Sequence, residues 1–107
     1  MKSVPPLICN MDVFTPAQRD SHVENTMQLM RAVQRIQEVE NGYQFTFSGE
    51  TELITKIAEF ISKERLCCPF LNFTLKVNSS MEPVSLSLAG PEGTQEFLRL
   101  EFSGAFQ

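Results

Sequence analysis

Three stretches of this chain alternate apolar and polar residues with a period of two, and that repeat limits the fold more than any other feature. Tyr43, Phe45 and Phe47 interleave with Gln44, Thr46 and Ser48. Phe73, Leu75 and Val77 interleave with Thr74 and Lys76, and Val84, Leu86 and Leu88 with Ser85 and Ser87. Successive side chains of an extended chain point to opposite faces, so each stretch reads as a strand with one buried and one wet face. Strands of this kind belong to antiparallel sheets covered on one side. Asn41-Gly42, just before the first stretch, is the strongest turn signal, because both residues tolerate positive φ and suit a two-residue type I′ hairpin loop. The partner strand is then about Arg35 to Glu40. With Asn41-Gly42 as the loop, Glu38 falls opposite Phe45, which calls for a bulge or for a first helix that runs on to Glu40. The hairpin is the preferred reading.

Helical signals lie around these strands. Thr15-Pro16-Ala17-Gln18 has a capping threonine, a proline at the first helical position and a glutamine that completes a capping box. Val23, Met27 and Met30, widened by Leu29 and Val33, form its apolar stripe, and the pattern fades between Met30 and Val33. Glu50-Thr51-Glu52 places acids at a second helix start. Leu53, Ile54, Ile57, Ala58, Phe60 and Ile61 give that helix a broad apolar face, and Pro69 stops it at or before Cys68. Ser79-Ser80-Met81-Glu82-Pro83 turns the chain between the last two strands. Gly90-Pro91-Glu92-Gly93 leads into a final helix with Phe97, Leu98 and Leu100. Leu7-Ile8-Cys9 reads as a tie-down segment or a short strand, and Ser103 to Gln107 as a fraying end. The order α-β-β-α-β-β-α predicts an α+β two-layer sandwich: an antiparallel sheet of about four strands, made of two hairpins and covered by helices. All 107 residues make a single domain, 1–107.

Composition narrows the function classes. The net charge of −4, with no run of three basic residues, argues against nucleic acid as a partner. No apolar run approaches the roughly 20 residues of a membrane span. Met1-Lys2-Ser3-Val4-Pro5-Pro6 lacks the apolar centre of a signal peptide, which makes the cytoplasm the expected location. Three cysteines are an odd number, and in a reducing compartment they are expected as free thiols.

The chemically unusual stretch is Cys67-Cys68, preceded by Glu64-Arg65 and followed by Pro69-Phe70. A bridge between the two neighbours is unfavourable, because a trans peptide holds adjacent α-carbons about 3.8 Å apart, short of the usual disulfide range of about 4.4–6.8 Å. Thiolates are good ligands for soft ions such as Cu(I) and Zn(II), but one pair is too few for a closed zinc site. Cys9 supplies the third thiolate if the N-terminal segment folds back over the end of the second helix. His22, the single histidine, is a conceivable fourth ligand, although a lone histidine is more often a polar helix residue. If both cysteines close the second helix, the negative dipole end makes thiolates harder to form; if Cys68 caps a new turn, backbone donors do the opposite. Either cysteine could instead be core filler, since free cysteine is among the most buried residue types. Glu64-Arg65 could form a functional charge pair beside the thiols, but such residues are more often a solvated helix end. Gly90-Pro91-Glu92-Gly93-Thr94 matches no phosphate-loop pattern, Asp20-Ser21-His22 cannot align as a triad on a helix, and no carboxylates stand out as a pair in apolar surroundings.

Glu64-Arg65-Leu66-Cys67-Cys68-Pro69-Phe70 and Gly90-Pro91-Glu92-Gly93-Thr94-Gln95-Glu96-Phe97-Leu98 resemble the shared marks, E-R-x-C-C-P-F and G-P-E-G-x-x-E-F-L, of a family of small bacterial proteins. Leu7-Ile8-Cys9 and Gly42-Tyr43 are similar as well, so the resemblance runs over most of the chain. It implies the fold and the grouping of Cys9 with Cys67 and Cys68, and no reaction. Two functions are therefore expected to compete. One is reversible, non-catalytic binding of a thiophilic metal or metalloid, such as zinc or copper(I), by Cys67, Cys68 and Cys9. The other is a protein-interaction module, for example a homodimer, whose cysteines are structural. A thiol redox enzyme is a third reading, weakened by the lack of a C-x-x-C pair and of a nearby histidine base.

Overall fold

The computed structural model describes residues 7–106; the expectations placed on Met1 to Pro6 and on Gln107 lie outside them. Along the chain run α1 (Pro16–Ala32), β1 (Arg35–Val39), β2 (Gly42–Gly49), α2 (Thr51–Cys67), β3 (Asn72–Lys76), β4 (Met81–Ala89) and α3 (Thr94–Glu101), with single 3₁₀ turns at Met11–Val13 and Ser103–Phe106. The four strands form one antiparallel sheet in the order β1-β2-β4-β3, so the two hairpins meet along β2 and β4. The α-β-β-α-β-β-α order and the α+β two-layer sandwich are those the alternation and capping signals predict.

The first hairpin corrects one expectation. Its loop is Glu40-Asn41 rather than Asn41-Gly42: Val39 pairs with Gly42, Glu38 with Tyr43 and Ile36 with Phe45. Moving the loop by one residue moves the pairing by two and places an apolar residue opposite Phe45, so no bulge is needed there. Asn41 takes the left-handed backbone at φ 54°. Gly42 serves a different purpose, since a β-carbon on it would run into the Leu88 carbonyl of β4. A bulge lies instead between Phe47 and Gly49.

Tyr43, Phe45, Phe47, Val84, Leu86 and Leu88 line the covered face and are buried. Phe60 of α2 sits over them, its ring packed edge-on against Phe73 and Phe102 and stacked on His22. The chain end does not fray through Phe106, whose ring lies 4.8 Å from that of Tyr43 and 6.0 Å from that of Phe45. Two large apolar surfaces closing the rim of the core outweigh the entropy of ordering one short turn.

α1 begins at its capping box, with the Thr15 hydroxyl accepting from the Gln18 N–H and the Gln18 side chain accepting from the Thr15 N–H. Its buried side shares Leu29, Met30 and Val33 with the expected stripe but leaves out Val23 and Met27. Met27 is 47% exposed and Val23 also faces outward, while His22 and Leu29 are buried and Asn25, Thr26, Met30 and Val33 half-buried. These positions keep the helical spacing, but half of them are polar, because α1 packs on polar groups of α2. Asn25 donates to the Lys56 carbonyl at 3.0 Å, and Lys56 meets the Gln28 side chain. Among the described residues no helix is long and apolar enough to cross a membrane.

Candidate metal centre

The centre is built on the last turn of α2. Ile57, Phe60, Glu64 and Cys67 are the buried residues of that helix, and their spacing is that of a single face. Pro69 cannot continue the helix, so Cys67 is its last residue and Cys68 its cap, with the Cys68 N–H donating to the Glu64 carbonyl at 2.8 Å. Leu71 then donates to the Cys68 carbonyl and turns the chain into β3. Both sulfurs therefore lie at the negative end of the helix dipole, where thiolates form less readily. Burial, reinforced by the carboxylates of Glu64 and Glu101, pushes the Cys67 thiol up to about 12.

The N-terminal segment is a strap rather than a strand. The Asn10 N–H donates to the Cys67 carbonyl at 2.7 Å, satisfying one of the carbonyls a helix end leaves unpaired. The Asn10 side chain accepts from the Asp12 N–H and holds the next turn. This docking brings the Cys9 α-carbon within 4.4 Å of that of Cys68, and the two sulfurs form a disulfide. The expectation of three free thiols is thus corrected: Cys67 alone is unpaired. The 4.4 Å separation across the strap lies within the usual range for a bridge, whereas one across the Cys67-Cys68 peptide would be strained.

The expected convergence of the three cysteines is present. The Cys67 sulfur lies 3.7 Å from that of Cys68, and sulfur atoms of Cys9, Cys67 and Cys68 all fall within 4.8 Å of one another. Both members of the adjacent pair are fully buried and Cys9 is half-buried. They are not sealed in hydrocarbon. Glu64, 2% exposed, accepts a hydrogen bond from the Cys67 thiol through Oε1 at 3.5 Å, and its Oε2 stands 3.5 Å from the Cys68 sulfur. Both carboxyl oxygens of Glu101 stand 3.7 Å from the Cys9 sulfur. His22, 5% exposed, meets Glu64 Oε1 through Nε2 at 2.8 Å, and its Nδ1 has no partner.

Three more expectations change here. Glu64 is a buried hub rather than a solvated helix end; Arg65 alone is exposed. Glu64 and Glu101 are a carboxyl pair at the edge of the core. As a residue Glu101 is exposed, but its carboxyl end turns inward, and desolvation followed by the Glu64 carboxylate pushes it up to about 8. His22 is no surface residue: its Nε2 meets Glu64, and its ring stands among the donor atoms of Glu64 and Cys67. Spacing alone could have located Glu64, four residues after Phe60 and three before Cys67 on the apolar stripe. His22 carried the same signal, seven residues before Leu29. Nothing local marks Glu101, which reaches the centre because α3 packs beside the strap.

A cavity of about 200 Å³ borders the cluster, with Met11, His22, Met27, Glu64 and Glu101 among its lining residues. Donor atoms of Cys9, Glu64, Cys68 and Glu101 lie within 4.8 Å of one another, as do those of His22, Glu64 and Cys67. The arrangement is a sulfur-rich donor set with carboxylate oxygens on one side. No family model, curated protein or solved structure matches this chain.

Proposed function

We propose that the chain reversibly binds one thiophilic metal ion, of the zinc or copper(I) type, through the reduced sulfurs of Cys9, Cys67 and Cys68. The carrying observation is the 3.7 Å between the Cys67 and Cys68 sulfurs. Two thiolates on a tetrahedral ion at about 2.3 Å each stand about 3.8 Å apart, so this pair already has the spacing of a ligand edge. In the reduced protein Cys9 withdraws from bonding distance by about 1.7 Å to take the third position. A Glu64 or Glu101 oxygen completes four donors for zinc, whereas copper(I) is satisfied by the three sulfurs. Met11 and Met27 place thioethers beside the cavity, groups that suit the approach of a soft ion. A cytoplasmic setting, which the sequence leads one to expect, favours the reduced thiols over the bridge.

The interaction-module reading has less support. The uncovered face of the sheet carries Gln37, Gln44, Ser87 and Thr74 in one cross-strand row, side chains that water satisfies without a partner.

The test is a titration of the fully reduced protein with cobalt(II) as a spectroscopic stand-in for zinc, and with copper(I) against a chromophoric competitor. One equivalent of ion is expected to bind with sulfur-to-metal charge-transfer absorption, and C68S and C67S are each expected to weaken binding about tenfold or more. Binding by reduced wild type no tighter than by C9S/C67S/C68S overturns the reading.

A further inference from the structure

We infer that Cys9 and Cys68 carry a second activity, reversible thiol–disulfide exchange with low-molecular-weight disulfides, and that this exchange loads and unloads the ion. The inference deepens the metal reading only in its second half; the exchange itself stands on separate observations. The first is the disulfide between Cys9 and Cys68, which uses two of the three sulfurs an ion needs. Bridge and ion therefore exclude each other at the same atoms. The second is the difference in exposure: Cys9 is half-buried, while Cys67 and Cys68 are fully buried. An incoming disulfide or thiol reaches sulfur at Cys9 and not at its partners. The third is the anchor. Cys9 is held by the main-chain bond from Asn10 to the Cys67 carbonyl, which involves no sulfur and keeps Cys9 opposite Cys68 when the bridge is open.

The Cys9 thiolate attacks one sulfur of RSSR; a Cys9–SR bond forms, the S–S bond of RSSR breaks, and RS⁻ leaves to take up the proton Cys9 lost. The Cys68 thiolate then attacks the Cys9 sulfur, expelling a second RS⁻, which takes the proton of Cys68. Two protein thiols are oxidised by two electrons, and RSSR is reduced to two RSH. A bound ion loses its Cys9 ligand in the first step and its Cys68 ligand in the second, and is left with Cys67. Excess thiol reverses the sequence, entering at Cys9. Cys67 stays reduced throughout, because a bridge to its neighbour is strained and the solvent does not reach it.

The experiment treats reduced wild type with oxidised glutathione, quenches with an alkylating agent under denaturing conditions and maps the products by mass spectrometry. The expected product is one intramolecular Cys9–Cys68 bridge with Cys67 alkylated. C68S is expected to accumulate glutathione on Cys9, C9S to accumulate none on Cys68, and C67S to close the bridge as wild type does. A Cys67–Cys68 bridge, bridges only between molecules, or glutathione on Cys68 in C9S overturns the exchange reading. C67S, which leaves the bridging pair intact, keeps the test decisive if C9S or C68S misfolds. In a parallel arm, wild type loaded with zinc is treated in the same way in the presence of a chromophoric chelator. Zinc is expected to appear in step with the bridge, and zinc retained after closure overturns the coupling. If the bridge closes but reduced wild type binds no ion, the metal reading fails and the exchange stands. If the ion binds but oxidised glutathione closes no bridge, the exchange fails and the metal reading stands.

Discussion

Removing the bridge gives the most quantitative check on how the strap is held. Cys9 and Cys68 are 59 residues apart, so the disulfide closes a loop that includes both hairpin strands of the first half and all of α2. A cross-link across a loop of that length restricts the unfolded chain by an entropy worth about 4 kcal/mol at room temperature. For a domain of this size the increment corresponds to a shift of about 15–20 °C in Tm, or about 3 M in the urea midpoint. The folded state changes little on opening, because the Asn10–Cys67 main-chain bond and the aromatic core do not depend on the sulfurs. The assay is urea unfolding of wild type, C9S and C67S, each with and without a strong reductant. Oxidised wild type and oxidised C67S are expected to share the full increment, whereas C9S is expected to match reduced wild type to within about 1 kcal/mol whatever the redox state. Equal midpoints for oxidised and reduced wild type would refute the reasoning, as would loss of the increment in C67S, which would place the bridge on a different pair.

Replacing Glu64 tests the buried hub: E64L leaves His22 Nε2 and the Cys67 thiol without their acceptor and is expected to lower stability by about 3 kcal/mol in urea unfolding, while E64Q, which keeps an acceptor, costs about 1 kcal/mol. H22L/E64L should recover part of the E64L loss, and a double mutant at the sum of the single costs would show that the pair is not coupled. Glu101 is pushed up to about 8 when folded and returns to its ordinary 4.5 when unfolded, so between those values the folded protein holds a proton that the unfolded chain has lost. Stability is then expected to fall as pH rises from about 4.5 to about 8, by an amount tempered by the exposure of the residue. E101Q should flatten that slope, and an unchanged slope would show the carboxyl to be solvated. G42A forces a β-carbon against the Leu88 carbonyl and is expected to weaken the β2–β4 junction by about 2 kcal/mol, measured as faster amide exchange in β2 and β4.

Most of the architecture could be read from the chain. Thr15-Pro16 and Gln18 mark the start of α1, Pro69 ends α2, and the alternating strands place Tyr43, Phe45, Leu86 and Leu88 in the core, because caps, breaks and pleats depend on neighbours within a few residues. The register of the first hairpin could not be read as well. Gly42 looks like a turn residue locally, and only its pairing with Val39 and Ala89 shows that it belongs to the strand. The polar half of the buried side of α1 escaped for a similar reason: His22, Asn25 and Thr26 look solvated until the polar groups of α2 are set against them.

The chain alone determined that a proline would stop the second helix at or before Cys68 and that a bridge between the adjacent sulfurs is unfavourable, since proline and peptide geometry act on immediate neighbours. Which sulfur would pair, and which oxygens would face them, depended on tertiary structure. Cys9, His22, Glu64 and Glu101 are far apart in sequence, and they meet only because the strap, α1, α2 and α3 pack around one helix end.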